Sequence, residues 1–241
     1  MTRTADVLAR MQALPFAGVD AIAPGTSLIL APHPDDESLG CGGLIAALCA
    51  AGRPPLVVAV TDGAGSHPHS VRYPPARLAA LRAEELRAAT AILGLHSERV
   101  TFLGLPDTSA PSEGPKFMRA VAAIEAMARA QAVTTIFTTW RHDPHGDHQA
   151  VAAIGAAAAS GARLRLYPVW GWLLPAEQDL PVEAVAGRRL DITGLLPLKR
   201  RAIAAHASQY SNLIADDPKA FRLPTDLLAV VDRPFEVFLQ P

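Results

Sequence analysis

Four short runs of aliphatic and β-branched residues alternate with four longer segments rich in alanine and leucine. The short runs have the length of buried strands, and each long segment can cross between parallel strands as a helix. Because each such helix returns the chain to the same end of a sheet, the alternation predicts a parallel sheet covered by helices. The predicted strands are residues 27–33, 56–61, 99–103 and 134–139, and the predicted helices are residues 37–51, 75–94, 116–130 and 148–160.

The last third of the chain continues this pattern. It predicts strands at residues 164–170, 189–193 and 235–239 and a helix over residues 197–208. We expect the strand at 235–239 to close one edge of the sheet. The sequence contains no linker and no internal repeat, so it predicts one Rossmann-like α/β domain over residues 1–241, with a mostly parallel central sheet and helices on both faces.

Composition narrows the functions that the chain can have. Half of the residues are hydrophobic and 19% are charged, which excludes a disordered protein. With 22 basic and 23 acidic residues, the chain has no basic field to bind nucleic acid. Cys41 and Cys49 form no disulfide framework and suit a reducing compartment. The N-terminus lacks a secretory signal and the longest apolar run, residues 150–159, is too short for a membrane span, so we expect a cytoplasmic location.

The first chemically informative segment, residues 31–38, lies where the first predicted strand ends and a helix begins. Open α/β sheets place their sites at such strand ends. Pro34 keeps His33 extended, so His33 and Asp36 can converge on one cation across this bend. Since adjacent carboxylates do not easily point at the same place, Asp35 is directed elsewhere, within reach of a metal-bound water. The competing interpretation is that these acids only cap the helix, although one acid would suffice for a cap.

A second polar cluster, residues 140–149, follows the fourth predicted strand and also opens a helix. Asp143 is the predicted N-cap and Pro144 the first helical residue. This arrangement places His145 and His148, three residues apart, on one face of the helix.

The two clusters together predict a metal site. His33, Asp36 and His148 form a His, Asp, His set that leaves a coordination position open for water, as catalytic zinc sites do. Asp143 and Asp147 are available to orient the imidazole rings from outside this set.

These clusters resemble the metal motif of the PIG-L/LmbE family of zinc-dependent N-deacetylases. The similarity extends over most of the chain through shorter segments, which are residues 61–63, 82–86, 93–94, 103–107 and 206–209. The resemblance implies a metal-dependent hydrolase that removes an N-acetyl or other acyl group from a small amino sugar or glycoconjugate. No sequence feature indicates an oligomeric state.

The resemblance also assigns roles within the site. It implies zinc ligands His33, Asp36 and His148, although the same donor set admits iron(II). It implies that Asp35 is the general base that takes a proton from a zinc-activated water.

The resemblance implies roles for four further residues and shows one difference from the family. His145 is implied to face the developing oxyanion, with Asp147 behind it. Arg82 and Asp107 are implied to contact substrate hydroxyls or phosphate. Some family members have a tyrosine two residues before the histidine matched by His145, and here that position is Asp143, so a tyrosine contact to the oxyanion is lost.

Two functions from other classes remain open. One is an iron(II)-dependent oxygenase, although such sites usually lie on double-sheet barrels. The other is a non-catalytic carbohydrate-binding protein, against which the presence of every ligand and of Asp35 argues.

Several residues outside the two clusters could also face a ligand. We expect His67 and His69 in a solvated loop, and Trp170 and Trp172 in core or edge packing rather than stacked on a sugar. His206 fits a site wall and a surface position equally well.

Overall fold

The computed structural model describes residues 1–182 and 184–241. Within these residues a seven-stranded sheet has helices on both faces, which confirms the predicted fold class. The strands of the described residues are β1 (Thr2–Arg3), β2 (Thr26–Ala31), β3 (Leu56–Thr61), β4 (Val100–Leu105), β5 (Val133–Thr139), β6 (Arg163–Tyr167), β7 (Asp179–Leu180), β8 (Gly187–Asp191) and β9 (Phe235–Leu239). Of these, β1 and β7 pair with each other in a separate two-stranded sheet. The helices are α1 (Thr4–Gln12), α2 (Val19–Ile22), α3 (Asp36–Ala50), α4 (Pro75–Ile92), α5 (Gly114–Ala130), α6 (Gly146–Ala158), α7 (Leu196–Ala205), α8 (Ala207–Tyr210) and α9 (Thr225–Val231).

The strand order of the large sheet is β4-β3-β2-β5-β6-β9-β8. The pairs from β4 to β6 are parallel, whereas β9 is antiparallel to both of its neighbours. The chain builds outward from β2 to β4 and then resumes with β5 on the other side of β2. This reversal leaves a crevice at the carboxyl ends of β2 and β5, which is where open α/β sheets bind their ligands.

The prediction that residues 235–239 close the sheet edge is wrong. β9 lies between β6 and β8, and β8 takes the edge position. The last four residues of β9, 236–239, are all buried, so this strand needs cover on both faces. β8 has exposed charged residues at Arg188 and Asp191, which suit an edge strand.

Alternating residues of β2 explain why helices cover both faces. Ile29 belongs to the apolar cluster formed with α3, α4 and α7, whereas Leu28 and Leu30 belong to the cluster formed with α5 and α6. A strand that is apolar on both faces must be covered on both faces. Within the described residues, no helix combines the length and the apolar composition that a membrane span requires.

No element is predicted before β2 from the sequence, yet the chain there forms β1, α1 and α2. Val7, Met11 and Leu14 recur at helical spacing and pack with Leu166 and Val237 of the sheet. α1 therefore covers the sheet near β6 and β9.

A buried ion pair between α7 and β9 also bonds to the backbone of α3. Lys199 Nζ of α7 lies 2.7 Å from Glu236 Oε1 of β9, and both side chains are almost fully buried. The backbone N–H groups of Gly43 and Leu44 in α3 donate to the same carboxylate at 2.7 and 2.8 Å. One carboxylate thus joins α3, α7 and the sheet.

Replacing Glu236 with alanine is expected to lower the free energy of unfolding by about 3–5 kcal/mol, because it leaves a buried ammonium group without its partner. Urea unfolding followed by circular dichroism measures this change. Asp232→Ala is the control, since its pair with Arg200 is exposed and contributes little. Equal unfolding midpoints for the two variants would contradict this role of the buried pair.

Candidate active site

The two polar clusters meet at the carboxyl ends of β2 and β5, which are paired in parallel. Two threonine hydroxyls hold the segments that follow β2 and β5 through hydrogen bonds to backbone carbonyls. Thr61 Oγ1 of β3 donates to the Pro32 carbonyl at 2.8 Å, and Thr139 Oγ1 of β5 donates to the His148 carbonyl at 2.8 Å. The structure thereby brings residues 33–36 and 143–148 to one place.

The ligand-type atoms of His33, Asp36 and His148 all lie within 4.8 Å of one another, and the three residues are buried. Asp36 Oδ2 is 3.1 Å from His33 Nδ1 and 3.2 Å from His148 Nε2. Burial alone would raise the pKa of Asp36, but His148 and His33 outweigh it and hold this pKa well below its usual range. The carboxylate is therefore ionised, as a metal ligand must be.

These three residues fit a divalent cation. His148 is fully buried, and neither of its ring nitrogens makes a hydrogen bond, although carboxylate oxygens of Asp36 and Asp143 lie 3.2 and 3.3 Å away. A cation bound at Nε2 would satisfy one of these buried polar atoms. The spacing of 3.1–3.2 Å is close to that of atoms bound at about 2.0–2.1 Å to a tetrahedral zinc ion. His33, His145 and Asp147 also lie close enough for a metal, but both Asp147 carboxylate oxygens already accept backbone N–H groups.

His145 immediately precedes α6, and the prediction that Asp143 caps this helix is wrong. The N-cap is His145, whose Nδ1 accepts the backbone N–H of Asp147 at 3.2 Å. An accepting Nδ1 leaves the proton of the neutral ring on Nε2. Burial lowers the pKa of His145, and the neighbouring His33 and His148 lower it further. The ring is thus a neutral Nε2–H donor on the wall of the site cavity.

Asp143 instead turns inward and is fully buried. Its Oδ1 lies 3.3 Å from His148 Nδ1. Its Oδ2 accepts the backbone N–H groups of Val169 and Gly171, both at 3.0 Å. One carboxylate therefore orients His148 and also holds the turn that carries Trp170.

Asp35 stands beside Arg82 and makes no capping hydrogen bond to α3, which removes helix capping as its explanation. Arg82 Nη2 donates to Asp35 Oδ2 and to the Pro34 carbonyl, both at 3.1 Å, and Nη1 donates to the Gly63 carbonyl at 2.8 Å. Burial raises the pKa of Asp35 to about 6, against the opposing charge of Arg82. A carboxyl group with a pKa near neutrality is suited to proton transfer.

Asp107 and Asp147 both contact His33. Asp107 Oδ1 and Asp147 Oδ2 lie 3.1 and 3.0 Å from His33 Nε2. Burial alone would raise the pKa of each carboxyl, but their hydrogen bonds with His33 lower both pKa values. The Asp147 side chain thus faces His33, and its backbone N–H is the group that bonds His145.

A cavity of about 380 Å³ opens beside these side chains. Its lining is of two kinds. The ionisable residues are His33, Asp35, Asp36, Arg82, Asp107 and His145. The large apolar residues are Leu39, Trp170, Phe221 and Leu223, which we call the apolar wall. The volume is at the lower end of the range of small-molecule sites, about 300–1,000 Å³.

Three further histidines, His67, His69 and His206, lie in different environments. The predicted solvated position of His67 is wrong, since it is 3% exposed and its Nδ1 lies 2.9 Å from Ser66 Oγ. His69 is exposed as predicted. His206 is fully buried, with its Nε2 2.9 Å from Glu37 Oε1 of α3.

Sequence reasoning missed several cavity residues. Phe221 and Leu223 lie between α8 and α9, where no periodic pattern marks them. Gln209 belongs to the family-like segment 206–209, but its type gives no role. Trp170 packs on the core as expected and also lines the cavity.

Comparison with known proteins found a matching family and similar proteins. Residues 28–159 match the family model described as PIG-L: GlcNAc-PI de-N-acetylase. The chain is 28% identical over 208 residues to 2'-N-acetylparomamine deacetylase of Streptomyces fradiae, covering 77% of this chain and 74% of that protein. It is 25% identical over 238 residues to 1D-myo-inositol 2-acetamido-2-deoxy-alpha-D-glucopyranoside deacetylase of Rhodococcus erythropolis, covering 76% and 80%.

A solved structure shows the same fold. N,N'-diacetylchitobiose deacetylase from Pyrococcus horikoshii superimposes with a TM-score of 0.68 at 20% identity, over 98% of this chain and 90% of that one. The family match covers more than half of the 241 residues and includes both strand-end clusters. This chain therefore belongs to the PIG-L family.

Proposed function

We propose that this chain is a zinc-dependent hydrolase that removes the N-acetyl group from a small amino sugar or glycoconjugate. The observation that carries the proposal is the convergence of His33, Asp36 and His148 beside a cavity lined by Asp35 and His145. Deacetylases of N-acetylated sugars among the relatives support the same reaction. A cytoplasmic location is part of the proposal, supported by two unpaired cysteines.

The proposed metal ligands are His33, Asp36 and His148. A divalent ion held by them would lower the pKa of a bound water towards about 7 and polarise the amide carbonyl. Asp143 fixes the ring of His148 from behind, and Asp107 and Asp147 fix the ring of His33.

Asp35 is the proposed general base. It takes a proton from the attacking water and later returns it to the leaving amine, while Arg82 fixes its carboxylate. His145 donates from Nε2 to the carbonyl oxygen as negative charge develops there. Arg82 and Asp107 both line the cavity and are the proposed contacts for substrate hydroxyls or phosphate.

Metal reconstitution and a substrate screen test the proposal. The purified chain is stripped with a chelator, reloaded with Zn²⁺ or with iron(II), and assayed on a panel of N-acetylated sugars for acetate and free amine. We expect equal amounts of both products, and the more active ion identifies the preferred metal. Oxygen uptake without acetate would indicate the oxygenase. Bound metal without hydrolysis across the panel would indicate the non-catalytic carbohydrate-binding protein.

Replacing His145 with alanine is expected to reduce kcat by at least about a hundredfold, because the oxyanion loses a hydrogen-bond donor. Metal content should not change, since His145 is outside the proposed ligand set. His96→Ala is the matched control, because His96 is exposed and does not line the cavity. Steady-state rates and metal analysis of the two variants decide the assignment, and equal rates would refute it.

A further inference from the structure

The apolar wall extends outward from the metal ligands. Leu39 lies one turn beyond Asp36 on α3 and is 2% exposed, whereas Phe221 is 37% exposed. Trp170 and Leu223 line the same cavity. An apolar surface therefore continues from the proposed reaction centre to solvent, and the proposed chemistry of amide hydrolysis does not use it.

Hydrogen bonds to three other segments of the chain hold this wall in place. The backbone N–H of Phe221 donates to the Ser66 carbonyl at 2.8 Å, and that of Leu223 donates to the Gln209 carbonyl at 2.9 Å. The turn that carries Trp170 is bonded to the Asp143 carboxylate, which also contacts His148. Since the wall is anchored to the scaffold of a proposed metal ligand, it keeps a defined position relative to the reaction centre.

The shape of the wall distinguishes between possible occupants. The rings of Trp170 and Phe221 meet edge to face, with centroids 5.7 Å apart and planes at 67°. Two rings at this angle form a corner rather than one flat platform. Leu39 and Leu223 add aliphatic surface beside these rings, which can bury an alkyl group but offers no face for stacking on a sugar. A concave apolar corner instead fits an alkyl or aryl group.

We propose that the apolar wall is a substrate subsite that binds an apolar group several carbons long attached to the amino sugar. This inference rests on the proposed deacetylase function and specifies its substrate class. The same chemistry has two possible sources, an N-acyl chain longer than acetyl or an apolar aglycone.

Two substrate series separate these sources. One series is the methyl, butyl and hexyl glycosides of N-acetylglucosamine, and the other is glucosamine with N-acetyl, N-butanoyl and N-hexanoyl groups. Because each buried methylene contributes up to about fourfold, we expect kcat/KM to rise at least about tenfold along one series. The series that rises identifies the source. Flat kcat/KM along both series would overturn the subsite.

Phe221→Ala tests the wall itself. This variant is expected to reduce the ratio of kcat/KM between the longest and shortest substrates about fivefold or more, because truncation removes part of the apolar surface. Phe16→Ala is the matched control, since Phe16 is exposed and does not line the cavity, and it should keep the wild-type ratio. An unchanged ratio in Phe221→Ala would refute the assignment.

Binding measurements separate this inference from the proposed reaction. Tryptophan fluorescence gives the Kd of methyl and hexyl glucosides, which contain no amide, for the wild type and for Phe221→Ala. Tighter binding of the hexyl compound that Phe221→Ala weakens would support the subsite even if no substrate is hydrolysed, and only the deacetylase proposal would then fail. Equal affinities for both compounds would refute the subsite whatever the catalytic result.

Discussion

Replacing Asp35 with asparagine is expected to reduce kcat by about 10²–10⁴-fold while leaving metal content unchanged. Asparagine keeps the size of the side chain and can still contact Arg82 through its amide oxygen, but it cannot accept a proton from water. Asp35 is outside the proposed ligand set, so the ligands His33, Asp36 and His148 remain intact. Single-turnover rates of amine release, combined with metal analysis by mass spectrometry, measure both quantities.

A matched control for this variant is Asp226→Asn. Asp226 is exposed in the first turn of α9 and does not line the cavity. The control should retain wild-type turnover and metal content. Near wild-type turnover in Asp35→Asn would remove Asp35 from the role of general base. Loss of metal in that variant would instead make Asp35 a part of the metal site.

Replacing Asp36 with alanine is expected to weaken metal binding by more than about 100-fold and to abolish turnover with it. Its Oδ2 is the atom that lies beside both His33 Nδ1 and His148 Nε2, so its loss removes the negative charge between the two imidazoles. Loss of a residue that only supports a ligand typically costs about 10–100-fold in metal affinity, and loss of a ligand should exceed that. Chelator competition with Zn²⁺ measures the change in affinity.

Loss of folding must be separated from loss of metal in this experiment. Asp36 Oδ2 also accepts the backbone N–H of His33 at 2.9 Å, so the variant loses one structural hydrogen bond. Asp36→Asn is therefore made in parallel, because it can keep this hydrogen bond while losing the charge. If Asp36→Asn is folded by circular dichroism and still binds Zn²⁺ with wild-type affinity, the proposed ligand set is incorrect.

The sequence was sufficient for the parallel part of the sheet, because strands that are buried on both faces leave continuous aliphatic runs. Residues 56–61, for example, are both the predicted strand and the observed β3. The strand order at the antiparallel end of the sheet could not be predicted from such runs. Whether β8 or β9 takes the edge position depends on which residues cover each face of the strand. Those covering residues come from distant parts of the chain, so the local sequence does not specify the answer.

Some features of the site could likewise be predicted from the sequence, and others could not. The presence of His33, Asp36 and His148 at the ends of two strands could be recognised from local order alone. The different positions of Asp143 and His145 could not, because a capping aspartate and an inward-facing aspartate have the same local sequence. Asp143 turns inward because in the folded chain its Oδ2 accepts the backbone N–H groups of Val169 and Gly171 and its Oδ1 lies 3.3 Å from His148 Nδ1.

Local order along the chain was thus enough to specify a parallel α/β sheet and to place two metal-binding clusters at its carboxyl edge, since both follow from residue spacing and strand polarity. The folded chain was needed to show that Arg82 holds Asp35 and that His145 accepts a backbone N–H at Nδ1. It was also needed to assemble the apolar wall from segments up to 184 positions apart, from Leu39 to Leu223. Such contacts depend on how separate elements pack, which the order of residues within any one segment does not specify.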